Sequence, residues 1–300
     1  MQEIARDVAV VVMTISNAYL AGTREAWILV DAGTPGRAGK IRRAAEARFG
    51  AGTRPAAIVL THGHFDHAGS AGALARLWNV PVYAPRLEMP FLTGRSPYPP
   101  LDPTAPGFFS GMSRLFPSRT VNLAGVVQAF DAGDALPGMQ DWETLATPGH
   151  TPGHVSFFRR TDGVLLAGDA LTTMNLDNAA DTLLRRPAVC RPPGPATTDW
   201  EKARGSVQLL AGLRPRVIAA GHGLPMYQAA DELELLAAHF PVPEHGRYAH
   251  RPARFDEDGI TYLPPAPPDA VPVVVAGLAA GLVAGTIAAR LARRVRNKPE

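Results

Sequence analysis

Residues 56–67 read Ala56-Ala57-Ile58-Val59-Leu60-Thr61-His62-Gly63-His64-Phe65-Asp66-His67. A short apolar run, Ala56–Thr61, reads as a buried strand. It ends directly on four side chains that can bind metal: His62, His64, Asp66 and His67. A loop that leaves a strand end can turn several side chains toward one point. Imidazole nitrogen and carboxylate oxygen suit zinc and related borderline metals. A lone histidine is most often a satisfied structural residue, but His-x-His-x-Asp-His as a unit points to a metal.

Three more candidates stand further along the chain, each at the end of an apolar strand run. His150 closes Thr147-Pro148-Gly149-His150, Asp169 follows Ala167-Gly168, and His222 sits between Gly221 and Gly223. The flanking glycines allow close backbone approach. Each is a common turn motif alone; their joint occurrence in this order carries the weight. Strands are expected over Val8–Met13, Ala26–Asp31, Ala56–Thr61, Val80–Ala84, Val126–Phe130, Glu143–Thr147, His154–Arg159, Val164–Ala167 and Arg216–Ala220. Helical spacing covers Gly39–Phe49, His67–Trp78, Asp199–Leu213 and Met226–Phe240. Strand runs with interspersed helices, repeated in two halves, imply sheets covered by helices.

The set His62, His64, Asp66, His67, His150, Asp169 and His222 resembles the dinuclear metal motif of the metallo-β-lactamase-fold hydrolases, over residues from about 5 to 240. The resemblance implies an α+β fold, a four-layer αβ/βα sandwich with the metals at one edge between the two sheets. It implies two Zn2+ ions, with iron or manganese as alternatives. His62, His64 and His150 would hold the first metal. Asp66, His67 and His222 would hold the second, and Asp169 would bridge. Zinc β-lactamases that complete the second site with a cysteine differ from this chain, whose single Cys190 lies in an Arg-Pro-flanked stretch away from the motifs; a β-lactamase is disfavoured. The run Thr147–His154 resembles the glyoxalase II and lactonase branches, in which its first histidine is the ligand. His154 is then expected to support the site or the fold without touching metal. The basic and tyrosine cluster that holds glutathione in glyoxalase II has no clear counterpart here, so the substrate stays open.

Metals in such a site make sense as a source of hydroxide, because zinc lowers the pKa of bound water from 15.7 to about 7. The expected activity is a zinc-dependent hydrolase in which a metal-bridging hydroxide attacks the carbonyl of a small-molecule ester, thioester or lactone. Asp66 would orient the hydroxide and shuttle its proton. Three alternatives stand beside this. A mononuclear-iron persulfide dioxygenase of the same fold would need only the first-site ligands. A non-catalytic metal-binding membrane protein would need only four ligands. A phosphodiesterase or nuclease of the same fold would call for a basic surface.

Composition bounds these readings. The chain has 300 residues, 46% of them hydrophobic and 19% charged, enough for a sizeable core and unlike a disordered chain. Its single cysteine excludes an intrachain disulfide framework and a Cys-rich zinc module. The net charge of +3 is concentrated at the end, where Arg290, Arg293, Arg294, Arg296 and Lys298 face only Glu300. The rest of the chain is near neutral, so no nucleic-acid partner is expected.

Residues 85–120 hold eight prolines, together with Phe91, Tyr98, Phe108, Phe109 and Phe116. They read either as a wall over a substrate pocket or as a surface excursion packed on its own aromatics. The expected organisation is a catalytic domain over 1–262, a proline-rich linker over 263–272, and a hydrophobic helix with a basic tail over 273–300. Residues 271–289 carry no charge and as a helix would span roughly 28 Å, close to the ~30 Å of a bilayer core. Membrane association through residues 271–298 is therefore expected, with a cytoplasmic catalytic domain because Met1–Leu20 shows no secretory signal.

Overall fold

The structure, a computed structural model, describes residues 1–116 and 121–269. The apolar runs assemble into two sheets. The first is ordered as in the sequence: β1 (Gln2–Ala5), β2 (Val8–Val12), β3 (Asn17–Gly22), β4 (Trp27–Val30), β5 (Ile58–Val59), β6 (Val82–Pro85) and β7 (Val127–Phe130). Strands β1 to β4 pair antiparallel and β4 to β7 parallel. The second sheet begins with β8 (Glu143–Ala146), β9 (Val155–Arg159) and β10 (Val164–Gly168). After a two-stranded ribbon, β11 (Thr172–Met174) and β12 (Pro187–Cys190), it continues with β13 (Val217–Ala220) and β14 (Met226–Tyr227). Its order is β14-β13-β10-β9-β8. A hairpin of β15 (Arg254–Asp256) and β16 (Gly259–Tyr262) follows.

Side-chain alternation along the strands sorts the interior into three cores. Trp27 and Leu29 of β4 pack with Ile41, Ala45 and Phe49 of helix Ala38–Phe49 and Leu74 of helix Ala71–Trp78. The alternate residues Ile28 and Val30 face the other way, onto Phe157, Val164 and Leu166 of the second sheet. Leu165 and Ala167 then turn outward onto Trp200, Val207 and Leu210 of helix Trp200–Gly212 and Leu233 of helix Ala230–Ala238. Three cores between four layers give helix, sheet, sheet, helix: the four-layer αβ/βα sandwich. Truncating one of these fully buried large side chains to alanine costs about 2–5 kcal/mol.

Two helix boundaries differ from the periodicity. The expected helix His67–Trp78 is two, Phe65–Ala68 and Ala71–Trp78. Ser70 lies between them; its Oγ donates to Thr34 O at 2.7 Å and accepts from the Arg37 N–H at 2.9 Å. Those bonds compete with helix continuation. The expected helix Met226–Phe240 starts at Ala230, because Met226 and Tyr227 pair with β13 instead.

The chain divides after Pro265, and Met1–Pro265 forms one compact unit. The tail helix expected over 273–300 lies outside the described residues. Among the described residues no helix is long and apolar enough to cross a membrane.

Candidate metal centre

The strand directions decide where the ligands meet. Parallel strands β4, β5 and β6 end at one edge of the first sheet, followed by Asp31, His62 and Glu88. In the second sheet β10 and β13 are parallel, and β8 runs with them because both it and β10 pair antiparallel with β9. Their ends deliver Asp169, His222 and His150. A backbone bond from Val155 N to Thr61 O, 3.0 Å, joins the two edges. This is the crevice outside the carboxyl ends of strands where α/β sheets bind ligands.

All seven residues singled out from the sequence gather there, and six are buried; only His64 is half-exposed. They form three overlapping trios, His62/His64/His150, His62/His67/Asp169 and Asp66/His67/His222, each with ligand atoms within 4.8 Å of one another. In the first trio His64 Nδ1 lies 3.0 Å from His62 Nε2 and 3.1 Å from His150 Nε2. Nitrogens at tetrahedral angles around zinc, with bonds of about 2.0–2.1 Å, would be roughly 3.3 Å apart. Asp169 joins the two groups: its Oδ2 is 3.4 Å from His150 Nε2 and 3.0 Å from His222 Nε2, and its Oδ1 is 3.5 Å from His67 Nε2. Asp66 Oδ2 lies 3.6 Å from His222 Nε2 and 3.8 Å from His67 Nε2.

The surrounding hydrogen bonds leave one nitrogen of His62, His67, His150 and His222 aimed at the centre. Asp31 Oδ2 faces His67 Nδ1 at 2.8 Å and accepts from the Thr61 hydroxyl at 2.9 Å. The Thr61 oxygen is then left to accept from His62 Nδ1, 3.0 Å away. One carboxylate thus fixes both tautomers, with Nδ1–H outward and Nε2 inward. His222 Nδ1 donates to Ile15 O at 2.9 Å, and His150 Nδ1 faces Thr197 Oγ1 at 3.3 Å. His154 is different. Its Nε2 accepts from the Asp169 N–H at 2.8 Å and its Nδ1 donates to Thr147 Oγ1 at 2.9 Å, which leaves no nitrogen for a metal.

Two buried polar atoms at the centre have no hydrogen-bond partner: His67 Nε2 and Asp169 Oδ1. Buried polar atoms are rarely orphaned, and a cation between these two would satisfy both. The electrostatics agree. Burial holds His62 and His150 well below the usual histidine range and His64 down to about 4, so the first trio presents neutral lone pairs. Burial acts the same way on His67, but Asp169, Asp66 and Asp31 outweigh it and hold its pKa well above the ordinary value, so a cation at Nε2 would take the place of a proton among these carboxylates. Burial would raise Asp169; His222 and His67 overcome that and hold its carboxyl well below the carboxylate range. The donor set therefore fits two cations.

Above the centre lies a cleft of about 290 Å³. Its walls come largely from the proline-rich segment, through Tyr98, Pro99, Leu101, Phe109 and Phe116, with Ile15 and Pro193 opposite. That segment also packs on its own aromatics: Phe91 stacks on Tyr98 at 4.4 Å between ring centres. Both readings describe its residues 85–116, and residues 117–120 lie outside the described residues. The bracing after helix Ala230–Ala238 gave no sequence signal: Tyr248 donates to Pro100 O and Phe255 meets Phe91 edge-on. Sequence reasoning also passed over Asp31, Ile15, Thr197 and Glu88. Asp31 alone left a mark, as an acid closing the apolar run Ala26–Asp31; its φ of 58° is the cost of turning there.

Known proteins share this architecture. The metallo-beta-lactamase superfamily model matches residues 12–222. The "probable metallo-hydrolase YflN" of Bacillus subtilis is 41% identical over 228 residues, 75% of this chain and 86% of that protein. The "hydroxyacylglutathione hydrolase GloC" of Haemophilus influenzae is 30% identical over 115 residues, 38% of this chain and 49% of that protein. Among solved structures, TTHA1623 "in a di-iron-bound form" is 26% identical with a TM-score of 0.51, covering 72% of this chain and 91% of its own. With the family's model matched across both halves of the sandwich, from β2 to the last histidine of the cluster, the chain belongs to the metallo-beta-lactamase superfamily.

Proposed function

We propose that this protein is a zinc-dependent hydrolase of small-molecule carboxylic esters, thioesters or lactones whose acyl or alkyl part is uncharged and apolar. The observation that carries the reading is the meeting of three His/Asp trios, with two orphaned buried atoms, at the floor of a cleft walled by aromatic and proline side chains. Two zinc ions held there would polarise a carbonyl and supply a nucleophilic water ionised near neutral pH. His62, His64 and His150 would hold one ion, and Asp66, His67 and His222 the other, with Asp169 shared. Asp66 lines the cleft, so its carboxylate is placed to orient the attacking water and to carry the proton to the leaving oxygen or sulfur. A thiolate leaves readily, whereas an alkoxide needs that proton more. Tyr98, Leu101, Phe109 and Phe116 would seat the apolar part and keep bulk water from the reacting carbonyl.

The relatives support the chemistry: one carries the name probable metallo-hydrolase and another that of a hydroxyacylglutathione hydrolase. The cleft size and the near-neutral body support a small molecule over a nucleic acid as partner. The test is metal content together with a substrate panel of thioester, lactone, phosphodiester, cephalosporin and persulfide. Two zinc equivalents with turnover of the thioester or lactone are expected. One iron and no second metal, with persulfide oxidation, would overturn the hydrolase.

A further inference from the structure

Glu88 is an acid outside the seven-residue set whose position needs a reason. It ends the short turn Arg86–Glu88 that follows β6, and its side chain is completely buried. No cationic side chain among the described residues pairs with it. Burying a carboxylate this way is costly unless donors surround it. Its donors come from three separate segments. Glu88 Oε2 accepts from the Gly63 N–H at 3.1 Å and from the Tyr98 hydroxyl, and Oε1 accepts from the Gly153 N–H at 2.8 Å. Gly63 lies between His62 and His64. Gly153 lies in the loop that carries His150. Tyr98 is part of the cleft wall, with its ring 4.8 Å from that of His64.

The two glycines show that the arrangement is built. Neither has a positive φ, so neither is needed for backbone conformation. Both are needed for space. A Cβ on Gly63 would lie 2.4 Å from the Tyr98 hydroxyl and 2.9 Å from Leu92 side-chain atoms. A Cβ on Gly153 would lie 2.9 Å from Glu88 Cγ and Oε1, and 3.0 Å from Glu88 N. Any side chain at either position would push the carboxylate or its tyrosine out of reach.

We propose that Glu88 is a positioning residue: its carboxylate ties the loop of His62 and His64 to the loop of His150, sets the spacing of the first metal trio, and links that trio to the substrate wall through Tyr98. His62 and His64 come from the first sheet and His150 from the second, so the spacing of the trio depends on whatever fixes the two loops to each other. Glu88 does this from a third strand end. It touches no metal, and it acts through backbone N–H groups that no sequence motif records.

The inference rests on the two-metal reading of the site. The experiment uses the full chain, stripped of metal and titrated with zinc alone against a chromophoric chelator, and in parallel with cobalt(II) to record its d–d spectrum. Glu88→Gln keeps the shape of the side chain but turns an amide N–H₂ toward donors. The wild type is expected to bind two equivalents. Folded Glu88→Gln is expected to bind one of them at least about tenfold more weakly, in the range seen for outer partners of metal ligands, with an altered cobalt spectrum. If Glu88→Gln does not fold, Glu88→Asp, whose shorter side chain cannot span both loops, is measured against the same expectation. A folded variant with both wild-type affinities and an unchanged spectrum, losing only thermal stability, would overturn the proposal while leaving the hydrolase intact. A wild type that binds no metal would overturn both.

Discussion

Thr147-Pro-Gly-His150 and Thr151-Pro-Gly-His154 are the same tetrapeptide twice, and their histidines do different work. His150 keeps Nε2 directed at the centre, while both nitrogens of His154 are engaged. Burial pushes the His154 pKa down to about 3. A folded pKa below the unfolded value of about 6.5 means that the unfolded chain takes up the proton first. The contribution of His154 to stability is therefore complete above pH 6.5 and falls as the pH drops from 6.5 toward 3. His154→Gln keeps an acceptor for the Asp169 N–H and cannot titrate. In metal-free protein the melting temperature of the wild type should exceed that of His154→Gln most at pH 7, with the gap narrowing by pH 4.5; thermal melts across that range test it. Asp169→Ala removes the carboxylate shared by both trios and should lose at least about a hundredfold in kcat along with one metal equivalent, whereas His154→Ala should retain both metals. Measured zinc content decides between them. The residue types that matter were legible in the sequence. Which nitrogen each histidine uses was not, because that depends on Asp31, Thr197 and Ile15, brought up from distant segments.

At the scale of elements, strong apolar runs and the longer periodic helices were legible and edges were not. Strands β4, β9, β10 and β13 and helices Ala38–Phe49 and Trp200–Gly212 lie where their periodicity put them, within a residue or two. Strand β3 gave no clear signal, since Asn17-Ala-Tyr-Leu-Ala-Gly22 lacks β-branched residues. It forms because Asn17 and Tyr19 both reach Ala220 O across the inter-sheet core, which also braces the His222 loop. Helix Trp200–Gly212 is held at its start by Asp199, whose carboxylate accepts from the Lys202 N–H at 3.0 Å. Asp199→Ala should destabilise the fold by about 1 kcal/mol, read as a drop of roughly 2 °C in melting temperature. Gly149 packs against the same helix with φ 131°, and a Cβ there would lie 2.3 Å from Ala203 N. Gly149→Ala should therefore cost more than Asp199→Ala, by about 2 kcal/mol or more in chemical denaturation.

Across the whole molecule the candidate metal centre draws its residues from both sheets at one edge. The first sheet and its loops supply His62, His64, Asp66 and His67; the second supplies His150, Asp169 and His222. Ligands that bind only the folded state add their binding free energy to stability. Excess chelator should therefore lower the melting temperature, and restored zinc should raise it in a concentration-dependent way. The uncharged stretch 271–289 and the arginines after it carry a separate expectation. Full-length protein should sediment with anionic vesicles and a chain ending at Pro264 should not; equal behaviour of the two would remove the membrane proposal.

The spread of the ligands along the chain also imposes an order in time. Roughly 160 residues separate His62 from His222. A ribosome adding ~5–20 residues per second needs about 8–30 seconds to cross that distance. The nascent chain thus carries His62, His64 and Asp66-His67 without His150, Asp169 or His222 while β6 to β8 are still being made. The His62/His64/His150 trio can close some seventy residues before His222 exists, so a cation held by that trio could be captured during synthesis, and one held by Asp66, His67 and His222 only after β13 has been made.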